Sequence, residues 1–372
     1  MGENRLKIGC ILPLSGSMAE LAERCRRGHE IAVELCNERG GIQSLGGAKI
    51  TYEYVDCGDS AEGAVAACET LAKDENILAI TGCYASFLTL PAAEVAERHR
   101  IPFVVSDATE NTLTRQGFKY IFRASANNEI YCRTALEFGS DVLQAKTLGI
   151  VYVDHLMGQM MSRDVKALGQ QLGLKILLNQ SYDFKTRDFS SLIEEMNSAD
   201  SDLIIGASYV EDAVLMAQQM HHRACNVRAF IGMGAGHAIP EFLEKAKHDA
   251  ECFASVAYWC HDMQTPGSSE LTKRYSERYH ELPIEHPGSC YQASQVLLNA
   301  LEQAGSTERQ VIRKALSQAE LMTNCGPVEM DPLTGQNRLA KCIIVQVQDG
   351  DFATIWPEAV ASKVPRFPMH WR

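Results

Sequence analysis

Three short polar loops hold the residues best suited to bind a ligand: Leu14-Ser15-Gly16, Gly82-Cys83-Tyr84-Ala85-Ser86 and Ser106-Asp107-Ala108-Thr109. Each follows an apolar run and precedes a helical pattern or a turn. Amide N–H groups at a helix start carry partial positive charge, and Ser and Thr hydroxyls add donors. Such loops suit a carboxylate or carbonyl oxygen. Any one of them alone reads as ordinary N-capping. Three at the ends of strands predict convergence at the crevice of a parallel sheet.

Other clusters offer less. The chain has no HExxH, GxSxG or GxxxxGK[ST] pattern. A Ser86–Asp107 pairing has no evident histidine base, so no catalytic residues are expected. Gly232-Met233-Gly234-Ala235-Gly236 lacks dinucleotide-fingerprint spacing and reads as a strand-to-loop turn. His221, His222 and Cys225 sit at a helix end without a partner pair, so neither a metal nor a cofactor is expected. The Met157–Met161 segment reads as core filling, although Met157 lies near a strand end.

The elements that must hold these loops alternate. Leu6–Leu12, Ile50–Val55, Ile77–Ile80 and Phe103–Val105 read as strands. Ala19–Arg39, stopped by Gly40-Gly41, and Ala61–Lys73 read as helices, as does Pro91–Arg98 with Pro in its first turn. A second series runs from a strand at Thr147–Val153 to one near Phe253–Ala257. Cys342–Gln348 and Phe352–Ile355 read as strands joined by a tight Asp/Gly turn, before a proline-containing tail over Pro357–Arg372. The pattern predicts an α/β protein of two doubly wound lobes. No Gly/Ser-rich linker is present, which suggests several short crossings between lobes.

Composition narrows the partners. The chain has 372 residues, enough for two cores, and a formal net charge of −12. That charge opposes binding to nucleic acid or to anionic membranes. No apolar run approaches the roughly 18 residues needed to span a bilayer, so no direct membrane insertion is expected. Cys25, Cys36 and Cys68 fall in helix-like apolar patterns, so most of the thirteen cysteines read as free structural thiols.

Several segments in order resemble one family. ILPLSG, a helix ending NERGGI, ITGCYASFLTLPAAEVAE, IPFVVSDATENTLT, FKYIFRA, DFSSLIEEMNSADSDLIIGASY and CGPVEMDPLTGQ span nearly the whole chain. Together they resemble the leucine/isoleucine/valine-binding branch of the type I periplasmic binding proteins. The resemblance implies two Rossmann-like lobes joined by three crossings, placed near Ser125, Ala257 and Cys325. The lobes are then 1–125 with 257–325, and 126–256 with 326–372. It also implies a ligand cleft between the lobes, hinge closure, and delivery of the solute to ABC permease membrane subunits.

The resemblance assigns Ser86 to the ligand carboxylate and Thr109 to an amino group. Asp107 takes the neighbouring pocket position, and Tyr209 a cleft position on the second lobe. Leu21, Tyr84 and Ala85 fall in the side-chain pocket, and Met157 in another cleft position. The family's acidic partner for a substrate ammonium should stand near Met233–Gly234 and is absent, which disfavours an α-amino acid unless Asp107 substitutes. The apolar Leu21, Met157 and Met233 point to a hydrophobic or aromatic ligand body. A second branch, cytoplasmic amide sensors acting through a partner protein, shares GCYAS followed by PAAEVAER. A Cys57–Cys83 disulfide would favour export, and thirteen free thiols the cytosol.

Overall fold

The computed structural model describes residues 5–234 and 236–369. Ala235 of the Gly-rich stretch and the last three residues of the tail lie outside the described residues. The chain divides into two compact units. Residues up to Asn127 with Gln264–Lys341 form the first, and Asn128–Met263 with the residues from Cys342 onward form the second.

The first unit opens with β1 (Arg5–Leu12), α1 (Ala19–Glu38), β2 (Lys49–Asp56) and α2 (Ala61–Lys73). It continues with β3 (Ile77–Gly82), α3 (Ser86–Arg98), β4 (Phe103–Val105) and β5 (Ile121–Arg123). The second unit runs through α4 (Asn128–Asp141), β6 (Thr147–Val153), α5 (Leu156–Gln171), β7 (Lys175–Tyr182) and α6 (Ser190–Ala199). It then adds β8 (Leu203–Ala207), α7 (Val210–His222), β9 (Phe230–Met233), α8 (Pro240–Ala246) and β10 (Ala254–Ala257). The chain returns to the first unit for α9 (Ser268–Tyr279), α10 (Glu285–Ala304), α11 (Arg309–Ser317) and the hairpin β11 (Glu320–Thr323) and β12 (Gly326–Glu329). It ends in the second unit with β13 (Ile343–Gln348) and β14 (Asp351–Trp356).

In the first unit the sheet order is β2-β1-β3-β4-β5, with every pair parallel. In the second it is β14-β13-β10-β9-β8-β6-β7, antiparallel only at the β10–β13–β14 edge. β3, β4 and β8 are buried along their whole length, as expected for strands covered by helices on both faces. Parallel pairing puts every strand's C-terminal end on one edge, so the loops after β1, β3 and β4 share that edge.

Two glycines make the close approaches. Gly82 has φ of 119°, and a Cβ there would stand 2.1 Å from the Ile11 carbonyl oxygen. Only glycine lets the end of β3 lie so near β1. A Cβ on Gly28 would stand 2.2 Å from the Pro287 carbonyl oxygen. That missing side chain lets α10 settle on α1.

Two expectations are corrected. α3 begins at Ser86, so Pro91 lies inside the helix and not in its first turn. The third crossing follows Lys341, not Cys325. Residues 326–341 stay in the first unit because β12 pairs with β11, and Gln336 bridges to Arg123 on β5.

Candidate functional site

In the first unit the loop after β1 is already occupied. Asp56 Oδ1 accepts from the amides of Ser15, at 3.2 Å, and Gly58, at 2.9 Å. Asp59 Oδ2 accepts from the Ser17 amide at 2.6 Å. A carboxylate thus takes up the Ser15 amide, and Asp59 sets a second carboxylate beside Gly16, which disfavours an anion at this loop.

The loop after β3 differs. α3 starts from Ala85, which has no side chain able to cap it. The first N–H groups of a helix have no acceptor within the helix, so those of Ser86 and Phe87 have none there. The Ser86 hydroxyl does not cap either. Its oxygen accepts from the Glu110 amide at 3.3 Å, which ties this loop to the one after β4. The hydroxyl keeps its own proton to donate. The Ser106 hydroxyl donates to the Cys83 carbonyl at 3.4 Å and joins the same two loops from below.

Asp107 does not stand alone. His286, at the start of α10, places Nδ1 2.7 Å from Asp107 Oδ2, and the two side chains are 19% and 7% exposed. Burial by itself would strip the imidazole of its proton. The Asp107 carboxylate outweighs that, and the His286 pKa rises to about 9. The His286 ring also meets Tyr84 edge-on, with centroids 5.1 Å apart. Burial, with the charge of Asp107 added, pushes the Tyr84 phenol well above its ordinary range. Asp107 is therefore half of an ion pair. It is not a spare counter-ion for a ligand ammonium.

Arg123, fully buried at the end of β5, holds the β4 loop in place. It donates to the carbonyls of Ala108 at 3.2 Å and Glu110 at 2.7 Å, to Gln336 Oε1 at 2.8 Å and to Thr114 Oγ1 at 3.2 Å. Burial lowers its pKa to about 9. Thr109 lies between the two anchored carbonyls. Ser86, Ala85, Thr109 and Leu21, the last on α1, are half-buried.

The second unit presents an aromatic group. Tyr209, which precedes α7, shares a 2.9 Å hydrogen bond with His155 Nδ1. The Phe184 ring lies 5.8 Å from that of Tyr209 and 6.4 Å from that of His155. Each of the three stands two residues past the end of its strand, β6, β7 or β8. That offset, shared by Tyr84 and Asp107 in the first unit, is the signal by which His155 and Phe184 are visible in the sequence. Beneath them Tyr182 donates to Asp212 Oδ2 at 2.5 Å, and burial raises the Asp212 pKa. Met157 lies within α5, half-buried, with Met161 beside it over Gly234. Met233 ends β9 opposite Ala207 and is fully buried.

All thirteen cysteines are free thiols, twelve of them buried. Cys57 Sγ donates to the Gly58 carbonyl at 3.5 Å.

A family model described as "Periplasmic binding protein" matches residues 5–351. The chain is 28% identical over 381 residues to "Leu/Ile/Val-binding protein homolog 7" of Brucella suis biovar 1 (strain 1330), covering 98% of this chain and 94% of that protein. An ABC transporter substrate-binding protein from Sphaerobacter thermophilus superposes with a TM-score of 0.82 at 21% identity, covering 98% of each chain. A solute-binding protein from R. palustris, solved in complex with benzoate, superposes with a TM-score of 0.76 at 19% identity, covering 97% of this chain and 98% of that one. A match over nearly the whole length, on the fold described, makes this chain a member of the periplasmic binding protein family.

Proposed function

We propose that the chain is the solute receptor of an ABC importer and captures a small organic carboxylate with an apolar or aromatic body. One observation carries the reading. α3 starts uncapped at Ala85, with the Ser86 hydroxyl free to donate, beside an Asp107 already neutralised by His286. Among the described residues this edge offers hydrogen-bond donors to an anion, and its Asp107 carboxylate is already paired with His286. Charge-assisted bonds from amide and hydroxyl donors are among the stronger ones available to a carboxylate. Thr109 adds a second hydroxyl, and Tyr84, Ala85 and Leu21 supply apolar contacts.

Exposed aromatic rings favour an aromatic acid over an aliphatic amino acid. Phe87, beside Ser86, is 54% exposed, and Phe184, beside Tyr209, is 52% exposed. An exposed ring can stack on or meet edge-on an aromatic ligand body, a contact an aliphatic ligand does not return. Of the ligands named for similar proteins, benzoate suits these groups better than leucine, whose ammonium would meet no free acid.

The protein is a binder and not an enzyme. A histidine held protonated up to about pH 9 is no general base at neutral pH, so Asp107 and His286 do not complete a nucleophilic set with Ser86. Its working partners are the permease subunits of the importer, and its place is the periplasm. No helix among the described residues is long and apolar enough to cross a membrane. The thirteen free thiols taken alone would favour the cytosol, and the family match outweighs them. Fractionation of the host tests the compartment: recovery with the osmotic-shock fluid supports export, and retention with the cytosol opposes it. Titration calorimetry with benzoate and leucine tests the ligand class. Benzoate binding that Ser86→Ala weakens supports the reading, and binding of leucine alone overturns it.

A further inference from the structure

On the second unit, the C-terminal end of α7 meets the turn that follows α8. The sequence places His221, His222 and Cys225 together here, but Cys225 is buried and donates to Asn197 at 3.3 Å. The structure supplies other neighbours. α8 ends at Lys247, a lysine with φ of 52° and ψ of −125°, in the left-handed region that favours glycine. That residue reverses the chain into a 3-10 turn over Lys247–Ala250, which brings His248 and Asp249 back against His221.

His221 Nδ1 and Asp249 Oδ1 are in direct contact. His248 Nε2 lies 3.1 Å from the same carboxylate oxygen. The two imidazole rings meet edge-on, with centroids 5.2 Å apart. One nitrogen from each histidine and one oxygen from Asp249 all fall within 4.8 Å of one another. Two donors on a tetrahedral zinc, each about 2.0–2.1 Å from the ion, lie roughly 3.3 Å apart. The 3.1 Å pair already has that separation, and a small rotation of His221 away from Asp249 opens the other.

We propose that His221, His248 and Asp249 form a surface site for a first-row divalent cation of the zinc, nickel or copper class. Two imidazole nitrogens with one carboxylate oxygen suit these ions, whereas magnesium and calcium prefer oxygen throughout. His221 and Asp249 are only 21% and 16% exposed, so two donors are held in place. The His248 side chain, 76% exposed, closes over the ion as the third. His222 and Gln218 line the same depression, and water completes the shell. The carbonyl end of α7 adds partial negative charge toward a cation. The bound ion adds a tie between the Lys247–Ala250 turn and α7, beside the buried packing of Ala250 in the cluster that holds Ala217 and Met220.

The test uses the full chain without a histidine tag, stripped by chelation and then titrated with Zn2+ by calorimetry and with Co2+ by absorbance. The expected result is one ion per chain, with a cobalt spectrum lacking a thiolate charge-transfer band. His248→Ala changes an exposed side chain and leaves the core intact. Together with Asp249→Asn it should weaken binding by roughly 100-fold or more. Zn2+ should raise the thermal midpoint of the wild type and not of the double variant. A thiolate band, no stoichiometric uptake at micromolar metal, or equal uptake by the double variant overturns the site.

Discussion

His286 Nδ1 sits 2.7 Å from Asp107 Oδ2 and sets the charge at the sheet edge where β4 ends. The ordinary imidazole pKa is about 6.5, and the folded value is about 9. A raised folded value means the native state holds its proton more tightly than the unfolded chain. The pair's contribution is then fully present below about pH 6.5 and is lost as pH rises toward 9. We expect denaturant midpoints of the wild type to fall across that window. His286→Gln should be flatter over the same range. If the two proteins show parallel pH curves, the ion pair is not formed in solution.

The same substitution leaves Asp107 charged and unpaired beside Ser86. Benzoate affinity should then drop by roughly tenfold or more, about 1.4 kcal/mol, through repulsion. An amine-bearing ligand such as leucine should gain. Calorimetric titration of both ligands against wild type and variant reads the effect as a crossing of preferences. Unchanged benzoate affinity would remove Asp107 from the binding edge.

His237 titrates with the opposite sign. It is fully buried against Phe230, Phe242 and Phe253, both nitrogens lack hydrogen-bond partners, and burial lowers its pKa to about 3. The unfolded chain takes up a proton on this side chain below about pH 6.5 and the native state does not. Stability is therefore lost as pH falls from about 6.5 toward 3, at about 1.4 kcal/mol per pH unit at most. His237→Leu should remove that part of the acid sensitivity. Acid titrations followed by circular dichroism check it, and identical acid midpoints for the two proteins would contradict it.

Gly28→Ala should act at a distance. The new Cβ meets the Pro287 carbonyl, pushes α10 off α1, and carries His286 with it. A cost of roughly 1–3 kcal/mol is expected for such overpacking, read as a lower thermal midpoint. Benzoate affinity should fall in the same variant. Full affinity with a lowered midpoint would show that α10 can shift without disturbing Asp107.

Arg123→Met tests the support beneath Thr109. It leaves the Ala108 and Glu110 carbonyls without their donor in a buried setting. Each such loss costs about 1–3 kcal/mol, so the midpoint should fall steeply. Arg123→Lys keeps a charge but not the fork, and should recover only part of the loss. A fully stable Met variant would mean that the loop is held by other contacts.

Much of the frame is legible in the residues. Thr147–Val153 and Phe103–Val105 are apolar runs bounded by turn signals, and both are strands to the residue. Ser86, Asp107 and Thr109 stand where strand ends meet helix or turn starts, so their edge follows from alternation alone. His286 is invisible at that level. Nothing within its own helix marks it, and its partner lies on a loop that only the packing of α10 on α1 brings near. The third crossing is misplaced for a similar reason. The CGPVEMDPLTGQ segment pairs within the first unit through the β11–β12 hairpin and through Gln336 on Arg123, contacts that no local pattern announces. Met233 looks available in sequence because it ends a strand, and that it is fully buried no local pattern announces.

The most direct measurement is calorimetric titration of wild type and Ser86→Ala with benzoate and with leucine. The account predicts benzoate binding by the wild type and weaker binding by Ser86→Ala, by roughly tenfold or more for the loss of a charge-assisted hydrogen bond. Leucine binding without benzoate binding, or equal benzoate affinity in both proteins, would contradict it.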